Sequence, residues 1–246
     1  MEISIDVCLE PARVARALLA AFALLLLAHF AGLYLTFALH YGDPYGLIRM
    51  FNLALERNVP TLFECCLFLL ASALFLLLAR LPARDPKERR LWLVLAATFL
   101  FLAADEGLAI HERLIGPVRT HLHTSGLLFF AWVVPYLVAV LALAMWATPK
   151  FWRLGNRFRI LFGLSAVVFL SGAVGMEMLG GQYYQANHET VDLTYRLYQT
   201  MEETLEAMGL ILLVYTQLAL IRTRATEASF RLSFGLEDRL PSAQVP

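Results

Sequence analysis

With 246 residues, 59% of them hydrophobic and 16% charged, and a mean hydropathy of +0.64, the chain is too apolar for a water-soluble domain, where about 45–50% apolar residues are usual. Its formal net charge of zero excludes nucleic acid as a partner, because phosphate recognition rests on an excess of Lys and Arg. Three cysteines (Cys8, Cys65, Cys66) and no C-x-x-C exclude a disulfide framework.

A membrane-spanning helix needs about 20 mostly apolar residues, and six segments meet that length. The first covers roughly 15–40. Its apolar run is longer than the about 7–15 residues of a signal-peptide core, so it reads as a retained span, with His29 near its middle. The second covers 60–80. Asn58 and Pro60 supply a capping side chain and a first-turn proline at its start, and Glu64, Cys65 and Cys66 follow. The third, 91–111, carries Asp105, Glu106 and His111, with Glu112 at its edge. The fourth covers 124–147, and the fifth, 158–180, carries Glu177 and is expected to close at Gly180-Gly181. The sixth, 196–221, carries Glu202, Glu203 and Glu206. The expected fold is an all-α integral membrane bundle of six transmembrane helices over 1–221, with a polar, mobile tail at 222–246.

Basic residues orient such a bundle. The side that receives both ends and the links 81–90 and 148–157 holds fifteen of the 20 Lys and Arg residues. That side is therefore expected to be cytoplasmic, with the protein in a bacterial inner membrane. The acids run the other way, eight on that side and twelve on the other, so the halves carry formal charges of +7 and −7. Eight of the twelve outer acids lie within the expected spans or at their last turn: Glu64, Asp105, Glu106, Glu112, Glu177, Glu202, Glu203 and Glu206. Isolated in a bilayer they would cost on the order of 10–20 kcal/mol. A bound cation, shared protons or a water-filled vestibule would remove that cost. The plainer alternative is that the acids cap helix ends and pair with Arg57, Arg113 or Arg196.

On a regular third helix, Asp105 and Glu112 share a face, while Glu106 and His111 diverge to either side. All four meet at one centre only if the helix is distorted, and Gly107 is the obvious place. On the sixth helix, Gln199, Glu202, Glu203 and Glu206 form a continuous polar stripe. Carboxylates with one or two imidazoles suit a divalent metal ion such as Zn, Fe or Mn. The expected ligand pool is Glu64, Asp105, Glu106, His111, Glu112, Glu177, Glu202, Glu203 and Glu206. His29 reads equally well as a hydrogen-bonded structural residue, and the cysteine pair as small buried residues. There is no H-E-x-x-H, no Glu-x-x-His, no phosphate loop and no G-x-S-x-G. No span contains a lysine, which excludes a retinal Schiff base.

Three segments, Glu56-Arg-Asn58-Val-Pro60-Thr61, Asp105-Glu106 with His111-Glu112, and Glu202-Glu203 with Glu206, resemble a group of uncharacterised bacterial multipass membrane proteins. That group has the motifs E-x-N-hydrophobic-P-T, D-E-x4-H-E and E-E-x-x-E. The resemblance covers roughly residues 50–210 and implies a fold and a site but no reaction. It also brings Glu56 and Asn58 to the candidate cluster. Three functions fit these observations. The first is a metal-dependent membrane enzyme acting on a lipid or lipid-linked substrate from the outer leaflet. The second is a transporter of metal ions or protons, which would need polar residues across the nearly charge-free inner halves. The third is a non-catalytic subunit among other subunits of a membrane complex. Membrane lipids are partners in all three.

Overall fold

The computed structural model describes residues 10–81 and 86–224. Seven helices account for most of them: α1 (Pro11–Ala38), α2 (Val59–Arg80), α3 (Pro86–Leu108), α4 (Ile110–Leu122), α5 (Val133–Phe151), α6 (Asn156–Ala186) and α7 (Leu193–Arg224). All except α4 are long and apolar enough to cross a membrane. Six crossings return the chain to the face on which α1 begins, called here the terminal face, and the opposite one the far face.

Helix α7 is the hub. It packs against α1, α2 and α6, and α2 packs along α3. Lipid tails are as apolar as leucine, so burial gives helices little reason to associate in a bilayer, and close backbone approach does the work. Gly209 of α7 and Gly172 of α6 provide it. A Cβ on Gly209 would lie 2.6 Å from the Phe169 amide nitrogen, and one on Gly172 2.6 Å from the Glu202 carbonyl oxygen. Towards the terminal face the bundle is filled with rings and aliphatic chains. Phe75 stacks on Trp92 at 5.8 Å and on Phe162 at 6.5 Å, and Phe151 closes on Trp92 edge-on at 5.9 Å. An ion pair from Arg224 to Glu88 ties the end of α7 to the start of α3.

Several boundaries differ from the sequence expectation. Asn58 does cap α2: its Oδ1 accepts the Thr61 amide at 3.1 Å. Residues 124–132, expected to be part of the fourth span, form one short 3-10 helix (Gly126–Leu128) and turns, so that span runs instead over Val133–Phe151. Gly180-Gly181 does not close the fifth span, which continues to Ala186. The glycines are buried contact points, Gly181 leaving room for the Phe130 ring 2.9 Å from where a Cβ would be. The expected tail begins at 222, but α7 includes Arg222, Thr223 and Arg224; the rest of the tail lies outside the described residues.

The largest difference is in the third span. It ends at Leu108, and Ala109 takes a left-handed conformation (φ 51°, ψ 50°) before α4 starts a new course. Non-glycine residues rarely adopt this conformation because the Cβ crowds the following carbonyl. The turn is held by Asp105, whose Oδ1 accepts the His111 backbone N–H at 2.8 Å. Helix α4 is amphipathic and has no fully buried residue.

Candidate functional site

In the half of the bundle towards the far face, α2, α3, α5, α6 and α7 surround a cavity of about 240 Å³. Its floor is apolar, made by Phe68, Leu102 and Phe169. Phe68 packs edge-on against Phe169 at 5.8 Å and against Phe99 at 6.1 Å, which shuts the cavity off from the terminal face. Its walls are acidic.

Most of the residues singled out in the sequence converge here. Asp105 and Glu106 from α3, His111 and Glu112 from α4, Glu177 from α6, and Glu202, Glu203 and Glu206 from α7 all line the cavity, with Glu56 at the entrance to α2. The left-handed break at Ala109, rather than Gly107, is what brings four α3–α4 residues to one space. Glu64 does not line it: it is 5% exposed and stands behind the wall, where its carboxyl group meets those of Glu203 and Glu206. One of its oxygens has no hydrogen-bond donor among the described residues. A second carboxyl pair, Glu177 with Glu202, stands on the other wall, and Glu177 Oε1 also accepts the Trp132 indole N–H at 2.6 Å.

The pairing of these acids with arginine is not found. Among the described residues Arg57, Arg113 and Arg196 form no ion pair with a cavity carboxylate; Arg196 instead donates to the Ala54 carbonyl and to Gln199 Oε1, both at 3.0 Å. The charge opposite the acids is His111. Its Nδ1 lies 3.4 Å from Asp105 Oδ1 and its Nε2 3.5 Å from Glu56 Oε1, with the ring 5.0 Å from that of Trp132. Burial disfavours the imidazolium, but Asp105, Glu56 and Glu106 outweigh it and hold His111 above the ordinary histidine range. Burial, reinforced by Glu112, pushes the Glu56 carboxyl up to about 7, although His111 and Arg57 oppose the shift.

His29 is a structural residue outside the cavity. Its Nδ1 accepts the Leu53 amide at 3.1 Å, so its Nε2 carries the hydrogen and donates to Thr200 Oγ1 at 2.8 Å. Thr200 in turn donates to the Arg196 carbonyl at 2.7 Å. Cys65 Sγ sits 3.5 Å from the Ala103 carbonyl and Cys66 is exposed. Among the described residues no three His, Cys, Asp or Glu side chains stand close enough together to form a ready-made metal site.

Two features of the wall escaped the sequence reading. Trp132, Tyr136 and Tyr195 bring polar aromatic groups to the cavity; the i, i+4 spacing of Trp132 and Tyr136 at the start of a span was the available signal. The second is a π-helical stretch, Ser171–Met176, in the middle of α6. Such stretches gather at functional sites, and this one presents Ala173 and Val174 to the cavity while Gly172 touches α7.

Neither a curated protein nor a solved structure matches the chain. A family model matches residues 17–220, which cover most or all of each span and include every cavity acid. The chain belongs to that family, which is described as a domain of unknown function, DUF8692.

Proposed function

We propose that this protein is a membrane-embedded enzyme that acts on a lipid or lipid-linked substrate at a cation held in its acidic cavity. The observation that carries the reading is the meeting of carboxyl groups with which no Lys or Arg side chain forms an ion pair among the described residues: Glu64, one of whose oxygens has no hydrogen-bond partner there, against Glu203 and Glu206, and Glu177 against Glu202. Two carboxylates about 4 Å apart repel by ~4 kcal/mol even at an effective dielectric constant of 20. Positive charge between them removes that cost. The donors are carboxylate oxygens with one imidazole, a set that suits Mn, Fe or Zn. A bound divalent ion would polarise a substrate oxygen and favour ionisation of water. His111, held between Asp105 and Glu56 at the cavity mouth, would exchange protons with the substrate. Glu177, fixed by Trp132, would orient it.

A second reading is that protons take the place of the metal and the carboxyl pairs act directly as general acid and base. The lack of three converging donors among the described residues favours it. Conduction of ions fits less well, because Phe68 closes the cavity floor and the Phe75–Trp92–Phe162 stack fills the bundle beyond it. The fifteen-to-five distribution of basic residues supports a bacterial cytoplasmic membrane with both ends in the cytoplasm and the cavity towards the outer leaflet.

The test is elemental analysis of the purified protein, followed by Mn(II) titration monitored by electron paramagnetic resonance. The expected result is stoichiometric metal, lost in Glu206→Gln and Glu203→Gln. A folded wild-type protein that holds no metal and takes up no Mn(II) would leave only the proton reading.

A further inference from the structure

Five helices surround the cavity, and four of the five neighbouring pairs of helices are in contact. Helix α2 packs on α3, α2 on α7, α6 on α7, and α3 on α5. The fifth seam, between α5 and α6, is different. These two helices are joined by a link of only four residues, 152–155, yet they are not among the closely packed helix pairs.

Their ring contact and hydrogen bonds lie at their ends. Towards the terminal face, Phe151 meets Phe162 at 5.2 Å. Towards the far face, the chain entering α5 is anchored on α6: Phe130 packs where Gly181 leaves room, the Gly126 amide donates to Gln185 Oε1 at 2.6 Å, and Trp132 bonds Glu177. Between these ties, Tyr136 and Val140 of α5 face the cavity from one side, and Leu170, Ala173 and Val174 of α6 from the other. All five are partly exposed. The neighbouring outward residues, Val138 and Leu141 on α5 and Val167 on α6, are exposed and apolar, as surfaces facing acyl chains are.

We propose that this seam is a lateral window through which the acyl chain of a bilayer lipid reaches the acidic cavity. The inference rests on the proposed enzymatic reading for its destination and adds the route and the substrate class. The occupant follows from where the window opens. It lies between two membrane-crossing helices, within the depth of the hydrocarbon, and its sides are apolar apart from the Tyr136 hydroxyl. A water-soluble substrate would meet hydrocarbon there, whereas a lipid is already in place. The apolar floor at Phe68, Leu102 and Phe169 continues the window inward and accommodates a chain. The carboxyl groups lie above that floor, towards the far face, where the polar end of the same lipid belongs. The π-helical stretch forms one jamb of the window and at the same time touches α7 beside Glu202 and Glu206, so an entering chain and the acids contact the same segment.

The test uses purified protein in liposomes containing a phospholipid with a diazirine in its acyl chain, irradiated and mapped by peptide mass spectrometry. Labelling is expected at 136–140 and 169–174, several-fold above that of the α1 surface at Leu24 and Leu27. Ala173→Trp, which fills the window, is expected to reduce it several-fold, while Leu164→Trp, on the exposed surface of the same helix, leaves it unchanged. Uniform labelling of all lipid-facing surfaces, or window labelling indifferent to Ala173→Trp in a protein that elutes as wild type, would overturn the proposal. Mn(II) uptake measured on the same samples separates the two readings. Window labelling without metal uptake sinks the cation site and leaves the window standing; metal uptake without window labelling does the reverse.

Discussion

The contact between α6 and α7 positions the acids of both walls, so a single methyl group placed in it is a sharp test of the fold. In Gly209→Ala the new Cβ would lie 2.6 Å from the Phe169 amide nitrogen and 2.7 Å from its Cα. Ordinary contacts between such atoms lie near 3.5–4.0 Å, so the helices must separate by about 1 Å. Overpacking a core costs roughly 1–3 kcal/mol. The opposing atoms here are backbone and cannot rotate away, so the cost belongs at the upper end of that range. The separation also draws Glu177 from Glu202 and opens the wall. Thermal unfolding in detergent, followed by alkylation of Cys65, is expected to show a midpoint several degrees lower. The control is Gly163→Ala on α6, where nothing lies within 4 Å of the new methyl group; it is expected to be neutral or slightly stabilising, because alanine favours a helix over glycine by about 0.5–1 kcal/mol. Equal behaviour of the two variants would refute the described packing.

Three further outcomes follow from the same geometry. Ala109→Gly removes the Cβ penalty of a left-handed residue, worth roughly 1–2 kcal/mol; a raised unfolding midpoint is expected, and a lowered one would show that the α3–α4 break is misplaced. The Glu56 carboxyl, pushed up to about 7 from an ordinary 4.5, and the raised His111 act in the same direction with pH. Between pH 4.5 and 7 the unfolded chain gives up the Glu56 proton that the fold retains, and the stability gained from His111⁺ below its ordinary value of 6.5 is lost as pH rises through its folded pKa. Stability is therefore expected to fall from pH 5 to 8 by on the order of 1–2 kcal/mol after solvent screening, and a Glu56→Gln variant with an undiminished slope would contradict this assignment. His29→Ala leaves the buried Leu53 amide without its acceptor, a loss of about 1–3 kcal/mol; the expected signature is lower stability with unchanged Mn(II) uptake, and a selective loss of metal would return His29 to the site.

Much of the membrane architecture was already written in one dimension. Hydropathy marks six runs because each spanning helix must be apolar over the thickness of a bilayer, and Asn58 announces the start of α2 because its side chain caps that helix. The membership of the cavity was legible for a related reason: carboxylates placed inside apolar runs are too costly to be incidental, and eight of the nine expected ligand residues do line one cavity. Other features depend on contacts between residues far apart in the chain. The break falls at Ala109, two residues past the glycine that the pattern pointed to, and is held by Asp105 reaching His111. His29 could have joined the acids or the scaffold, and only the positions of Thr200 and Leu53 assign it to the scaffold. Glu64 has the same sequence context as its neighbours, yet helix rotation puts it behind the wall against Glu203 and Glu206. The looser pairing of α5 and α6 is set by packing, since both helices are apolar through their middle stretches and pattern does not distinguish a surface that meets another helix from one that meets lipid. Composition and pattern thus determined that the chain crosses a membrane six times and carries buried acids; tertiary structure decided which acids face one another and which helices pack closely, because both depend on how helices rotate and approach.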